Sequence, residues 1–495
     1  MKNNNQISDE KQTFWLAFGK ILALLATLAI PLFLTRFLSK EDYGFYSQFN
    51  TVLYFFVYFF SFAMSTNLYF FFPIVNEDKK KVVIFQTFIF LFLFSLLSAL
   101  FIYVPIVNSF FFGNEDLKKY KSILYFLTII IVLTNITQPL YVVKKDVGIS
   151  IWFPPLQIVL KAMLIIIFFL IIPGINSIIN AIILASVLVL IIVLLYVKRS
   201  INSFQGDNLL DKNIAKEQLK YNLPIGLALA IKSFSQRFDK LISITFLSSS
   251  AYASYAIAFF GIPGIIQIYS AISQVTIVNM TKEINQGKKK EALELYKIMI
   301  IKNLSFSIPI ILIVALNAKE IISFLFTNNY IDATVLFQMY LISIIFVMLG
   351  EGLILRASGH TKFYSKIFVL VAPIIIPITY FLTKYFGSYG AMTGALISII
   401  LPRIFIFKRE IKIIDSNFRD FFPWIKIRII FLTSLLMLLP VVLIKYFIDG
   451  DLLILIPISI IYLLVVFFIE IKNNIFIVEE DKLKSFFSKY LNSKF

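Results

Sequence analysis

The densest group of chemically capable side chains in this sequence lies within an otherwise apolar stretch. It comprises Lys232, Ser233, Ser235, Gln236, Arg237, Asp239 and Lys240. At about 100° per residue these groups share one broad face of a helix. If that helix crosses a membrane, Lys232 lies about ten residues in, or about 15 Å, close to the bilayer centre. A charge there costs about 2.5–3.5 kcal/mol on insertion scales, so each one needs a reason. One reading is the cationic wall of a water-filled cavity that holds an anion. The other is a structural ion pair of Asp239 with a neighbour, with the remaining cations reaching for the interface. Asp239 neutralises one cation of three, which favours the cavity.

Lys161 stands alone in the middle of another apolar segment, too deep to reach the interface easily, and joins Lys232, Arg237 and Lys240 as a candidate anion-binding residue. Lys20, Lys302 and Arg403 lie nearer segment ends, where reaching out to the interface explains each. Two acids lie deep in apolar segments and are candidates for carrying a proton: Asp239 and Glu351. Glu351 sits between Gly350 and Gly352 and either titrates or pairs with Arg356. Polar stripes recur at helical spacing: Asn50, Tyr54, Ser61 and Ser65 in one segment, Gln267, Ser270 and Gln274 in another. They line a cavity or bond helix to helix. With Gln236, the residues Asn50, Tyr54, Gln267 and Gln274 form the expected polar lining. Pro31 and Pro263 lie inside apolar segments, where they permit bending.

No catalytic constellation stands out, and the sequence calls for no enzyme activity, cofactor or metal. The chain has no Cys and a single His, His360, expected in a solvated loop. That excludes thiolate chemistry and a multi-histidine metal centre. There is no GxxxxGK[ST] loop for ATP.

The elements that must position these residues follow from composition. Hydrophobic residues make up 59% of 495 and charged residues 15%, against about 45–50% and about 25% in soluble domains. Apolar segments recur at 14–34, 45–72, 82–112, 122–143, 151–172, 175–197, 222–247, 251–280, 297–317, 333–355, 364–386, 389–407, 425–447 and 451–471. Each is about 20 residues or more and does not alternate in polarity, so the chain is expected to be an all-α polytopic membrane protein of about fourteen spans, not a β-barrel. No cleavable signal peptide is expected, because residues 1–13 are polar and the first apolar run is too long. Lys79 to Lys81, Lys144, Lys145, the cations of 198–220, those of 282–297 and 408–428, and those of the C-terminal tail fall on one side. Arg36, Lys40, Lys118, Lys119, Lys121, Lys319, Lys384 and Lys445 fall on the other. The bias places both termini in the cytoplasm. The net charge of +18 is thus mostly positive-inside charge, and no nucleic-acid partner is expected. In the tail, Leu483, Phe486, Phe487, Tyr490 and Leu491 suggest either an amphipathic helix on the inner leaflet or a frayed polar end. The 206–220 stretch shows a weaker version of the same pattern.

Phe37-Leu38-Ser39-x-x-x-Tyr43-x-x-Tyr46 recurs as Phe246-Leu247-Ser248-x-x-x-Tyr252-x-x-Tyr255, at an offset of 209 residues. An even number of spans separates the copies, which suggests two parallel-repeat six-helix lobes around a central cavity. The expected divisions are an N-lobe at 1–197, a cytoplasmic linker at 198–221, a C-lobe at 222–407, two extra helices within 408–471 and a cytoplasmic tail at 472–495. A self-contained repeat argues for a monomer and against a channel, which would need a ring of equivalent residues around an oligomer axis.

Several local marks then carry a family resemblance. They are Thr35-Arg36-Phe37-Leu38-Ser39-Lys40-Glu41-Asp42-Tyr43-Gly44, Tyr221-Asn222-Leu223-Pro224, Arg237-x-Asp239-Lys240, Asn285-Gln286-Gly287-Lys288-Lys289-Lys290 and Phe326-Thr327-Asn328-Asn329-Tyr330. In their order the chain resembles the polysaccharide-repeat-unit flippases of O-antigen and capsule type, within the multidrug/oligosaccharidyl-lipid/polysaccharide exporter superfamily. The resemblance implies a bacterial inner-membrane transporter that turns a polyprenyl-diphosphate-linked oligosaccharide from the cytoplasmic to the periplasmic leaflet by alternating access. Its partners would be that lipid-linked substrate, membrane lipids and, among proteins, a glycan polymerase or other assembly proteins. Peptidoglycan-precursor (lipid II) flippases also have fourteen helices and stay an alternative, although their deep arginines in the first helix have no match here beyond Lys20. The cation-coupled multidrug exporters, usually of twelve helices, fit less well.

Overall fold

The computed structural model of the protein describes residues 27–112, 115–205, 208–350, 352–447, 452–473 and 475. Among them there is no strand. The order begins α1 (Thr27–Phe37), α2 (Lys40–Phe60), α3 (Asn67–Ile74), α4 (Glu77–Tyr103), α5 (Pro105–Phe112), α6 (Glu115–Lys119), α7 (Lys121–Thr134), α8 (Thr137–Val143), α9 (Val147–Ile171), α10 (Ile175–Asn202), α11 (Lys212–Phe246) and α12 (Ser249–Ala258). It continues α13 (Ile265–Asn285), α14 (Lys289–Leu316), α15 (Ala318–Phe326), α16 (Ala333–Met348), α17 (Leu353–Ala357), α18 (Thr361–Ile413), α19 (Phe418–Phe421), α20 (Trp424–Phe447) and α21 (Leu452–Lys472).

Nine helices among the described residues are long and apolar enough to cross a membrane, or ten if the bent pair around residues 61–63 is one span. The protein is therefore a multi-pass, all-helical membrane protein. The count does not reach fourteen. The first apolar segment is described only from Thr27, and α11 is not among the helices apolar enough to count. The 251–280 segment is interrupted between α12 and α13, where Gly261 and Gly264 take φ of 69° and 91°. The two segments at 364–386 and 389–407 lie in α18, which is broken at Gly387 (φ 55°, ψ −132°). The amphipathic tail, Lys20 and Glu351 lie outside the described residues.

Chain contacts divide the protein into two compact units, one of residues 1–256 with 376–391 and one of residues 257–375 with 392–495. In the first, the two copies of the repeat fold alike. Ser39 caps α2 by accepting the Asp42 N–H at 3.0 Å, and Ser248 accepts the Ala251 N–H at 3.2 Å ahead of α12. A hydroxyl acceptor there satisfies one of the orphan donors of a helix N-terminus, and Glu41 and Asp42 add favourable charge to the first turn of α2. Four residues after each cap comes a buried tyrosine, Tyr43 or Tyr252. The copies also touch. A Cβ at Gly44 would stand 1.7 Å from the Ser249 carbonyl oxygen, so only glycine lets α2 and α12 approach so closely. Beside that contact the Tyr252 hydroxyl donates to Thr51 Oγ1 at 2.8 Å.

The second apolar segment does not run straight. α2 ends at Phe60, and Phe62 and Ala63 adopt left-handed φ of 43° and 51°, bending the chain by 46° before α3. Asn222 reaches the bend: its Nδ2 donates to the Ala63 carbonyl at 2.9 Å, which also accepts the Thr66 N–H at 2.9 Å and the Thr66 hydroxyl at 2.7 Å. A Cβ at Gly226 would meet the Phe62 carbonyl oxygen at 2.4 Å. The Tyr221-Asn222-Leu223-Pro224 mark is thus a clasp between α11 and the break.

In the second unit, α13 closes with Gly287 at φ 76°, the Gly287 N–H bonding Ile284 O and the Lys288 N–H bonding Glu283 O. That is the double bond of a Schellman cap, which accounts for the glycine of the Asn285–Lys290 mark. Buried Glu410 of α18 accepts the N–H groups of Ile354 and Leu355 at 2.8 and 3.2 Å, capping α17. Lys445 of α20 bonds Glu320 Oε2 at 2.8 Å and the Leu316 carbonyl at 2.6 Å, tying the last helices to α14 and α15. Ile313, Leu438, Val441, Tyr462 and Val466 pack as a core beneath that tie.

Candidate functional site

A cavity of about 550 Å³ opens within the first unit, walled by α1, α2, α7, α9 and α10. α2 contributes Tyr43, Tyr46, Ser47, Asn50 and Tyr54, at spacings of three and four that put all five on one helical face. α9 contributes Gln157, Ile158 and Lys161, again one face. Thr27 of α1, Thr134 of α7 and Ser186 of α10 complete the described polar lining, and Ile30, Pro31, Ile131, Ile182 and Val189 supply apolar wall.

Lys161 is the one charged side chain among the described lining residues. It lies fourteen residues into the 25-residue α9, and its Nζ donates to the Tyr54 hydroxyl at 3.4 Å. The same ammonium stands 5.5 Å from the Tyr54 ring centroid, within the range of a cation–π attraction. Neither contact neutralises the charge, and no carboxylate is among the described residues lining the cavity. Asn50 donates its amide to the Tyr46 carbonyl at 2.9 Å, while its buried Oδ1 accepts no hydrogen bond from the described residues. The arrangement offers a fixed positive charge, aromatic faces and a mix of hydroxyl and amide groups. Chemically it suits an anion attached to a polyhydroxylated group.

The expected site residues are only partly gathered. Lys161, Asn50 and Tyr54 meet around this cavity. Arg237 and Lys240 lie on α11 and do not line it. The Arg237 guanidinium stacks 4.7 Å from the Tyr58 ring centroid. Asp239 is 5% exposed and accepts the Tyr255 hydroxyl at 2.6 Å. Lys232 and Gln236 also belong to α11, but the placement of their side chains lies outside the described part. Gln267 and Gln274 are on α13, in the second unit; both are exposed, and Gln274 donates to Ser270 at 3.1 Å. His360 is exposed beside Ser358, as its loop position suggested. Tyr43, Tyr46, Ser47, Gln157, Thr134 and Ser186 were not among the expected residues. For the three on α2 a signal existed, since they extend the Asn50–Tyr54 stripe toward the N-terminus. The stripe's other end, Ser61 and Ser65, leaves the face because α2 stops at Phe60.

The fold is similar to that of solved membrane transporters. Against the lipid II flippase MurJ in an inward closed conformation the TM-score is 0.72, at 16% identity, covering 94% of this chain and 99% of that one. Against an inward-facing multidrug resistance MATE family transporter of the MOP superfamily it is 0.61, at 15% identity, covering 79% and 94%. A MOP superfamily transporter from Pyrococcus furiosus gives 0.51 at 14% identity, covering 82% and 95%. At such identities the likeness concerns the fold. No curated protein sequence matches the chain. The family described as "Polysaccharide biosynthesis protein" matches residues 33–335, more than half of the sequence including α2 through α15, and the chain belongs to that family.

Proposed function

We propose that this protein is a flippase that moves a polyprenyl-diphosphate-linked oligosaccharide from the cytoplasmic to the periplasmic leaflet of a bacterial inner membrane. The observation that carries the reading is the cavity around Lys161: among the described residues one lining cation and no lining carboxylate, set among hydroxyls, amides and aromatic rings inside a membrane-spanning helix bundle. A diphosphate linker carries about two negative charges that must pass hydrocarbon, and a fixed cation lowers that barrier. Sugar hydroxyls need hydrogen-bond partners and sugar faces suit aromatic rings, both of which the lining supplies. Membership in a polysaccharide biosynthesis family agrees with this cargo.

The two termini face the cytoplasm in this reading, following the distribution of Lys and Arg. The parallel repeat supplies the two lobes of an alternating-access carrier, 1–197 and 222–407, acting as a monomer. Arg237, Lys232 and Lys240 assist the linker on its way, and Asp239 and Glu351 are the acids available for coupling. Deleting the gene tests the proposal. Polyprenyl-diphosphate oligosaccharide should accumulate on the cytoplasmic leaflet, identified by mass and by its inaccessibility to periplasmic glycosidase. No accumulation, in cells that still synthesise the lipid-linked sugar and carry no second flippase, would overturn it.

A further inference from the structure

A second space in the first unit differs in every respect from the cavity around Lys161. It measures about 410 Å³ and is walled by Phe55 and Phe59 of α2, Phe101 of α4, Val107, Phe110 and Phe111 of α5, and Ile231, Phe234 and Phe238 of α11. None of the described lining residues has a polar side chain. Water needs two to four polar partners to occupy a cavity, and the described walls offer it none. Protein interiors close such gaps unless something keeps them open, and 410 Å³ is within the range of ligand pockets. The walls are braced against collapse by ring contacts. Phe55 stacks on Phe111 at 5.3 Å between centroids, Phe59 on Phe101 at 5.6 Å, and Phe110 on Phe238 at 6.4 Å. The Thr245 hydroxyl donates to the Phe110 carbonyl at 3.2 Å, fixing α5 to α11.

The pocket has a charged neighbour. Arg237 lies between Phe234 and Phe238 on α11, and the Tyr58 ring beneath its guanidinium lies between Phe55 and Phe59 on α2. An anionic head and an apolar chain are thus provided for side by side.

We propose that this phenylalanine-walled pocket holds the isoprenoid chain of the carrier lipid, with the linked phosphate at Arg237 before the linker passes to Lys161. The inference rests on the flippase reading for the identity of the lipid. A branched, unsaturated isoprenoid presents methyl groups and flat alkenes to the ring faces, and the many close contacts so made add up, whereas a straight acyl chain fills a broad aromatic space less completely. Arg237 binds two phosphate oxygens at once, which lysine does not.

Val107 and Ile231 are the two lining residues without rings, so Val107→Trp and Ile231→Trp each fill the pocket from a different wall. The probes are tritiated farnesyl phosphate and dodecyl phosphate, which share a headgroup and a main-chain length, with inorganic phosphate as the head alone. Wild-type protein should bind farnesyl phosphate more tightly than dodecyl phosphate and show no saturable binding of inorganic phosphate in this range. Both filled variants should lose tenfold or more in farnesyl phosphate affinity while keeping the wild-type melting temperature, and Arg237→Ala should lose affinity for it too. If one filled variant misfolds, the other decides. Wild-type affinity in a folded filled variant, or equal affinity for dodecyl phosphate, overturns the proposal. Transport of lipid-linked oligosaccharide is measured on the same preparations. If the wild type transports and a filled variant binds and transports as well, the pocket assignment fails while the flippase reading stands. If the wild type binds farnesyl phosphate in this pocket but transports no lipid-linked sugar, the flippase reading fails and the isoprenoid site stands.

Discussion

Lys161 meets a tyrosine hydroxyl and the same tyrosine's ring and no carboxylate among the described residues, and that is its chemical content. If the charge holds a diphosphate, Lys161→Arg should retain much of the transport rate and Lys161→Met should lose about tenfold or more, the scale of one hydrogen bond to a charged group at about 1.5–3 kcal/mol. Comparing the initial rates of both variants at matched protein levels checks this. Arg237 gives the opposite pattern. Its planar guanidinium lies over Tyr58, a geometry an ammonium reproduces poorly, so Arg237→Lys should be impaired although the charge is kept, and Arg237→Ala more so. Single residues of this kind were partly legible in the sequence. A charge in mid-segment is conspicuous by cost alone, which singled out Lys161, and helical spacing put Asn50 and Tyr54 on its side of α2. Spacing carried too far failed at Ser61 and Ser65, because helical extrapolation cannot see a helix end held by a partner 159 residues away. That partner is Asn222, whose clasp on Ala63 has no local signature.

At the scale of elements, the contact between the repeat copies is the most sensitive point. Gly44→Ala would drive a methyl into the backbone of Ser249, which must shift, at a cost of about 1–3 kcal/mol. The expected outcome is a lower melting temperature, partly recovered by no substitution at Ser249, since the clash is with its carbonyl and not its side chain. The cap of α11 makes a pH-dependent prediction. Asp211 accepts the N–H groups of Asn213 and Ile214 and lies 3.7 Å from Lys79. The Ile214 N–H is the largest influence holding its carboxyl below the usual value; partial desolvation opposes it, and the Asn213 N–H and Lys79 add to the lowering. A depressed carboxyl stabilises the fold above its unfolded value of about 3.9, and that contribution is lost as the pH falls through the lower folded value. Asp211→Asn keeps an acceptor and removes the titration, so its melting temperature should fall less steeply than the wild type's as the pH drops below about 4. The cap ahead of α2 and its counterpart ahead of α12 were readable in the sequence because a Ser cap followed by a tyrosine is a local device. The break at Gly387 was harder to read, since a glycine in an apolar run does not announce its backbone angles.

For the whole molecule, composition alone required a helical membrane protein, and the family and fold agree. The sidedness proposed from Lys and Arg is directly measurable, because the chain has no native Cys. Lys118→Cys should be labelled in intact cells by an impermeant maleimide, and Lys290→Cys only after the inner membrane is opened. The reverse pattern would invert the topology and with it the direction of transport. The central claim is that the protein carries a lipid-linked sugar across the bilayer with its anionic linker held at Lys161. Its most direct measurement uses sealed proteoliposomes loaded with a fluorescent polyprenyl-diphosphate disaccharide in both leaflets, with an impermeant quencher or glycosidase added outside. Wild-type protein should expose nearly all of the labelled lipid with time. Protein-free vesicles should stop at the outer-leaflet half, and Lys161→Met should approach the full extent about tenfold more slowly, the loss expected for one hydrogen bond to a charged group. Wild-type vesicles that stop at half, or Lys161→Met vesicles that keep the wild-type rate, would contradict the account.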